Sequence, residues 1–261
     1  MILVKSAQEL ARMEAASRIV AETLDVLQGE VAAGISTHDL DMIAEEYIRE
    51  QGGIPAFKGY GGYPATICAS VNEQVIHGIP SRKKKLMEGD IIGIDLGVVY
   101  DGFVGDAART LPVGNISPEA ERLVQVTREA LDLAIAEARE GNRVSDIGHA
   151  VQRHVEAAGY SVVRSFVGHG IGKKLHEEPQ VPNFGPPGKG PRLKSGMTIA
   201  IEPMVNAGGY EVKVLGDGWT AVTVDGSLSA HCEHTVVVTP EGGRPLTVTG
   251  GAGYRHMRPV L

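Results

Sequence analysis

The sequence predicts an α+β protein made of one helix, helix, strands unit used twice around a central antiparallel sheet. Three observations carry this. Helix-start signals fall in the same order in each half, at Ser6 and Ser36 and again at Ser117 and Ser145. Each pair of helical stretches is followed by short strand-like apolar runs. The run Glu88-Gly89-Asp90-Ile91-Ile92-Gly93-Ile94-Asp95 parallels Lys194-Ser195-Gly196-Met197-Thr198-Ile199-Ala200-Ile201-Glu202, and Gly89 to Gly196 and Asp95 to Glu202 are separated by the same number of residues. The expectation is a single catalytic domain over 1–261, with pseudo-repeat halves at about 6–115 and 116–248 and a short tail, 249–261, for which the sequence offers no role. A pseudo-twofold axis between the halves would bring Asp95 and Glu202 to equivalent places in one site.

The elements follow in order. Ser6-Ala7-Gln8-Glu9 is a capping box opening a helix with Leu10, Met13, Ile19, Val20, Leu24 and Leu27 at helical spacing, closing at Gly29. Ser36-Thr37 opens a second, with Leu40, Ile43, Ala44, Tyr47 and Ile48 on one face, ending at Gly52-Gly53. Strand-like runs come next at 65–71, 75–77, 91–99 and 103–111. Ser117-Pro118 starts the third helix, closing at Gly141. Ser145 is expected to cap the fourth, closing at Gly159, and strand-like runs resume at 161–167, 198–203, 219–224 and 234–239.

Composition excludes several classes. The chain has 261 residues, 43% of them hydrophobic, and a net charge of -7 from 25 basic and 32 acidic residues. An acidic balance argues against a DNA-binding protein, and the apolar fraction against disorder. Cys68 and Cys232 form no CxxC pair, which fits a reducing compartment better than a disulfide scaffold. The N-terminus carries no basic segment followed by a long apolar run, and no stretch is long and apolar enough for a membrane span. The expectation is a cytoplasmic monomer.

The chemistry sits in carboxylates where strands should be apolar. Asp95 interrupts Ile91–Val99 and Asp106 interrupts Phe103–Leu111, with Asp101-Gly102 between them as a type I′ hairpin signal. If Tyr100 pairs with Phe103, Asp95 lies opposite Ala108 and shares a sheet face with Asp106, roughly 7–8 Å away at the backbone. Two ionised carboxylates there need a positive charge between them, and a divalent metal is the simplest source. The bland alternative is a pair of solvated edge charges. Glu202, ending Met197–Ile201, and Glu233, preceding Thr235–Val238, repeat the oddity in the second half. Histidines complete the set: His169 in Gly168-His169-Gly170, His176 in His176-Glu177-Glu178-Pro179-Gln180, and His77 at the end of a strand-like run. The glycines around His169 would let the backbone bend so that the ring points inward. His234 should face away from Glu233 and is set aside. Oxygen ligands joined by an imidazole suit Mn, Fe, Co or Zn.

Asp95, Asp106, His169, Glu202 and Glu233, in that order, resemble the five metal ligands of the methionine aminopeptidases, and the segments 72–80, 89–109, 168–172 with 176–182, 201–204 and 233–235 resemble type I members closely. The likeness runs from about Ser6 to Val248. It implies the pita-bread fold, which agrees with the internal repeat. It also implies two divalent ions per chain, of Co, Mn, Fe, Zn or Ni, with Asp106 and Glu233 shared, Asp95 on one, and His169 and Glu202 on the other. On the same resemblance Glu202 carries a proton between the attacking water and the leaving amine, His176 donates to the substrate carbonyl, and His77 contacts the scissile amide or the next residue. Tyr60, Tyr63, Cys68 and Trp219 would line the methionine pocket. Phe57 and Leu175 depart from the family pattern, standing where relatives often carry a small residue and an aromatic one. The implied reaction removes the N-terminal initiator methionine of nascent polypeptides, with a small second residue preferred. The basic run Arg82-Lys83-Lys84-Lys85 is a solvated turn or a transient ribosome contact. An X-Pro peptidase of the same fold would use the same five ligands but usually carries a large N-terminal domain. A non-catalytic binding protein on this fold would lack some of them.

Overall fold

The computed structural model describes residues 2–249; the segment 250–261 lies outside them. Four helices lie in two pairs: α1 (Ala7–Glu30) with α2 (Thr37–Glu50), and α3 (Pro118–Glu137) with α4 (Val144–Ala157). The strands are β1 (Ile54–Pro55), β2 (Ile67–Val71), β3 (Gln74–Ile76), β4 (Ile91–Tyr100) and β5 (Phe103–Pro112) in the first half. The second half contributes β6 (Ser161–Val162), β7 (Gly168–Gly170), β8 (Glu177–Val181), β9 (Thr198–Ile201), β10 (Met204–Asn206), β11 (Val212–Val214), β12 (Ala221–Thr223), β13 (Ser229–His231), β14 (His234–Val238) and β15 (Gly243–Pro245).

The helix starts obey the expected capping chemistry in three cases. Ser6 accepts the Glu9 N–H at 3.3 Å while Glu9 accepts the Ser6 N–H at 3.0 Å, and Ser36 and Asp39 exchange the same bonds. Ser117 accepts the Ala120 N–H at 3.2 Å with Pro118 in the first helical position. The fourth start differs from expectation. The cap falls at Arg143, whose N–H is accepted by Asp146 at 2.7 Å. No side chain caps the first-turn N–H groups here, and the Ser145 hydroxyl instead accepts the Lys189 N–H at 2.6 Å.

The hairpin of β4 and β5 has the expected register, with Tyr100 opposite Phe103 and Asp95 opposite Ala108. Its turn places Asp101 and Gly102 at φ 49° and 76°, the signs a type I′ turn requires. β4 is flanked by β5 on one side and by β2 and β1 on the other. A second antiparallel sheet runs in the order β15-β14-β9-β7-β8. The two meet where Ala108 and Glu233 exchange backbone hydrogen bonds of 3.4 and 2.9 Å. Beside this seam the Thr235 hydroxyl accepts the Asp106 N–H at 3.0 Å and donates to the Asp106 carbonyl at 2.8 Å. The apolar faces of the helices cover each half. Val20, Leu24 and Leu27 of α1 pack with Leu40, Ala44 and Ile48 of α2 over β2, β4 and β5. Leu123, Val126, Ile147 and Val151 cover β9 and β14. Each large aliphatic side chain so buried contributes about 1.5–3 kcal/mol.

Some expected strands are shorter than their apolar runs. Pairing at 161–167 ends with Val162, which lies opposite Val205, and the chain beyond it crosses to the next sheet. The 198–203 run pairs only as far as Ile201, and Glu202-Pro203 separate β9 from β10, which begins at Met204.

The start of β2 is fixed from α2. The buried Asp41 carboxylate accepts the Thr66 and Ile67 N–H groups at 2.8 and 2.9 Å, setting the strand that places Cys68 opposite Asp95. Burial raises the Asp41 pKa against the lowering effect of those two bonds. Asp41→Ala leaves two buried donors unmet and is expected to cost about 2 kcal/mol. Asp41→Asn, which keeps the acceptor and removes the buried charge, is expected to stay within about 1 kcal/mol of wild type. Urea denaturation of both variants measures this; equal midpoints would mean the two bonds are not what holds β2.

Candidate metal centre and its surroundings

The strands deliver carboxylates from both halves to the seam. Asp106 and Glu233 are buried, each 3% exposed, and Asp95 and Glu202 keep part of their surface open. Ligand atoms of Asp106, His169 and Glu233 all lie within 4.8 Å of one another. His169 Nε2 is 3.6 Å from Glu202 Oε1 and 3.9 Å from Asp106 Oδ2. Asp95 Oδ1, Asp106 Oδ1 and Glu233 Oε1 are buried and have no hydrogen-bond partner. Burial, and for Asp106, Glu202 and Glu233 also the neighbouring carboxylates, pushes all four acids above the usual carboxylate range.

This arrangement fits a divalent cation. Buried carboxylate oxygens facing one another without a donor cost free energy unless a positive charge enters between them. His169 is prepared for the same task. Burial lowers its pKa to about 4, keeping the ring neutral. Its Nδ1 donates to the Gly170 carbonyl at 2.9 Å, which leaves the Nε2 lone pair facing Asp106 and Glu202. The flanking glycines act otherwise than expected. β7 is extended, between β8 and β9, and the glycines allow close packing: a Cβ at Gly168 would collide with the Ala200 carbonyl and one at Gly170 with the Glu178 carbonyl.

The other histidines border this cluster. The His176 ring lies 4.3 Å from that of His169, and its Nδ1 is 2.7 Å from the Tyr60 hydroxyl. His77 has φ 60°, a left-handed value that costs a side-chain-bearing residue on the order of 1 kcal/mol. Its ring packs edge-on against Phe166 at 5.7 Å and Trp219 at 6.2 Å, and burial lowers its pKa to about 4. Both rings can donate to or accept from a peptide without carrying charge.

An apolar cluster adjoins the histidines. It contains Phe57, Tyr63, Cys68 and Leu175, with Trp219 packed against it. Trp219 meets Tyr63 edge-on at 5.1 Å. The Tyr63 hydroxyl lies 3.0 and 3.1 Å from the Ile67 and Gly78 carbonyls, so one end of the ring is anchored. Burial pushes the Cys68 thiol up, so it serves as a small apolar wall. Tyr60 stands apart from this cluster at 46% exposed.

Sequence reasoning missed several supports. Asn183 donates to the Glu202 carbonyl at 3.0 Å, and Phe166 covers one side of His77; neither carries a local pattern that announces it. His231, two residues before Glu233, is buried with Nε2 unpartnered, and period-2 spacing from Glu233 could have flagged it. His234, set aside, places Nδ1 2.7 Å from the Thr247 hydroxyl. Lys5 donates to Glu177 at 2.8 Å, with both side chains at most 10% exposed, and Glu177 also accepts the Lys173 and Lys174 N–H groups. That tether fixes the loop carrying His176. Lys5→Met is expected to lower the unfolding free energy by about 3 kcal/mol, because Glu177 is left as a buried unpaired charge. An unchanged urea midpoint would show that the pair holds nothing.

A model of metallopeptidase family M24 matches residues 11–240. The methionine aminopeptidase of Clostridium acetobutylicum is 52% identical over 248 residues, covering 95% of this chain and 99% of the relative. The crystal structure of methionine aminopeptidase from Thermotoga maritima superimposes with a TM-score of 0.94 at 46% identity, covering 95% of this chain and 100% of that one. A prolidase from Pyrococcus horikoshii shares the fold at a TM-score of 0.78 and 23% identity, covering 95% of this chain and 64% of the prolidase.

Proposed function

The chain belongs to metallopeptidase family M24, with the pita-bread fold, and we infer from this that it is a metal-dependent aminopeptidase that removes N-terminal methionine from proteins. The observation that carries the reading to these residues is the convergence of Asp106, His169 and Glu233 on one point, with buried carboxylate oxygens left unpartnered.

Five residues would hold the metal: Asp95, Asp106, His169, Glu202 and Glu233. We take two ions, which these five side chains would hold between them, drawn from Co, Mn, Fe, Zn and Ni, all of which such ligands accept. When bound, they supply Lewis acidity that polarises the scissile carbonyl and makes water nucleophilic near neutral pH. The chain's own groups do the rest. Glu202, at the edge of the cluster and partly open to solvent, accepts a proton from the attacking water and returns it to the leaving amine. His176 donates to the carbonyl oxygen as negative charge grows on it. His77, stiffened by Phe166 and Trp219, contacts the amide nitrogen or the following residue. The apolar cluster of Tyr63, Cys68, Trp219, Phe57 and Leu175 receives the thioether side chain. A small second residue suits a scissile bond that must approach His77 and His176 together.

Exposed Arg82, Lys83, Lys84 and Lys85 are taken as a transient contact with ribosomal RNA phosphates. Their loop is pinned to the start of α2, where Lys84 accepts the Thr37 N–H at 3.0 Å and Lys85 bridges to Ser36. The protein is taken to act as a monomer in the cytoplasm; among the described residues no helix is long and apolar enough to cross a membrane.

Metal-loaded protein is expected to release methionine from Met-Ala-Ser and to leave Ala-Pro intact; cleavage of neither peptide with any divalent metal rejects the reading. Asp106→Ala is expected to lose metal binding, by calorimetry, together with activity. His176→Ala should retain metal while kcat falls roughly a hundredfold or more; full activity in that variant removes His176 from the reaction. Reversing the charges at Lys83, Lys84 and Lys85 is expected to abolish co-sedimentation with ribosomes and leave peptide cleavage unchanged, and unchanged co-sedimentation would discard the RNA contact.

A further inference from the structure

The Tyr60 hydroxyl lies 2.7 Å from His176 Nδ1, and the two rings are 5.2 Å apart at 53°. Tyr60 is half exposed and lies outside the apolar cluster to which Tyr63, Cys68 and Trp219 belong. Its position is set by the backbone. Tyr60–Gly62 forms one tight 3-10 turn entered through Gly59 at φ 88°, with Gly61 at 57° and Gly62 at 89°. Tyr60 N–H bonds to the Phe57 carbonyl at 2.9 Å, and Tyr63 N–H returns to the Tyr60 carbonyl at 2.9 Å. A backbone of this shape needs glycines at those positions, and it holds a phenol over an imidazole bordering the metal centre.

We propose that Tyr60 is a positioning residue for the reaction: its O–H donates to His176 Nδ1, fixing both the ring orientation and the tautomer that carries its proton on Nε2. This rests on the role assigned to His176 above, and it deepens that role. A neutral imidazole has one N–H, so a ring that accepts at Nδ1 must donate from Nε2. A phenol O–H is a donor that can fill an acceptor at Nδ1. The other direction, with Nδ1 donating to Tyr60, would leave Nε2 a bare lone pair, unable to stabilise a developing oxyanion. His169 provides the contrast on the same wall: its Nδ1 gives its proton to the Gly170 carbonyl and its Nε2 is left to accept a cation. Two imidazoles with ring centroids 4.3 Å apart are thus set to opposite tautomers by what each Nδ1 meets.

The test uses the zinc-loaded, histidine-15N-labelled protein and two variants. Tyr60→Phe keeps the ring and removes only the hydroxyl, while Tyr60→Ala removes both. Two-bond 15N–1H correlation spectra of wild type are expected to show His176 protonated at Nε2 and accepting at Nδ1. In Tyr60→Phe the Nδ1 resonance should move to that of an unbonded ring nitrogen. For Met-Ala-Ser, kcat of Tyr60→Phe should fall on the order of tenfold, as for other imidazoles that lose an orienting partner, with KM and zinc content little changed. Tyr60→Ala should show the same loss in kcat. Protonation of His176 at Nδ1 in wild type overturns the proposal, as does a Tyr60→Phe protein with wild-type kcat and unchanged imidazole shifts. A rise in KM alone would make Tyr60 a pocket wall and also overturn it. If wild type releases no methionine, the functional reading fails, and the spectra still decide which nitrogen of His176 carries the proton.

Discussion

Four carboxylates, Asp95 and Asp106 on β4 and β5, Glu202 just after β9 and Glu233 just before β14, are forced into one small volume, and much of the remaining structure exists to keep them there. Left alone, Asp95, Asp106, Glu202 and Glu233 would separate, because burial and mutual repulsion both oppose their ionised forms. The sheet denies them that relief. Asp95 is paired at both edges of its strand, to Cys68 and Ala108. Glu233 exchanges two backbone hydrogen bonds with Ala108. Asp106 is bonded at both its N–H and its carbonyl to the single hydroxyl of Thr235. A backbone so constrained holds these oxygens in one region, with Asp106 and Glu233 converging beside His169, which is the preorganisation a divalent ion selects.

The histidines supply what the carboxylates cannot. All three are held neutral by burial, and a neutral imidazole can be a ligand, a donor or an acceptor according to its tautomer. Burial alone therefore does not differentiate them; the local partners do. Gly170 fixes one ring, Tyr60 touches another, and His77 is held between the faces and edges of Phe166 and Trp219 rather than by a hydrogen bond. Chemistry that differs from ring to ring arises from three different kinds of neighbour.

What could be read from the sequence follows the range of the forces involved. Capping at Ser6, Ser36 and Ser117 and the turn at Asp101-Gly102 depend on neighbours three residues away or fewer, and they were legible. The register of β4 against β5 followed from that turn, so the shared face of Asp95 and Asp106 was legible too. The fourth cap was misread because only the tertiary position of Lys189 decides that Ser145 is occupied elsewhere. Strand β8 was missed because Glu177-Glu178-Pro179-Gln180-Val181 has neither a clean alternation nor a free N–H at Pro179; its pairing to β7 at the sheet edge tolerates the proline. The ties of Asn183 to Glu202 and of Lys5 to Glu177 join distant parts of the chain and leave no local trace.

Those distant ties share a pattern that ranks them. Lys5 and Glu177 hold the loop that ends in His176, and Asn183 holds the backbone of Glu202. Asp41 holds the start of the strand that runs beside Asp95. In each case a buried polar side chain outside the cluster is matched to backbone or to an opposite charge one step behind a residue inside it. Burying such groups for stability alone is poor chemistry, since apolar packing would serve as well or better. Their advantage is directional: a hydrogen bond fixes an angle, whereas an apolar contact tolerates sliding. The cluster needs angles, because a ligand displaced by an ångström no longer meets the ion. Buried polarity around the centre is thus explained by aim, with the apolar cores of the two halves supplying the cohesion.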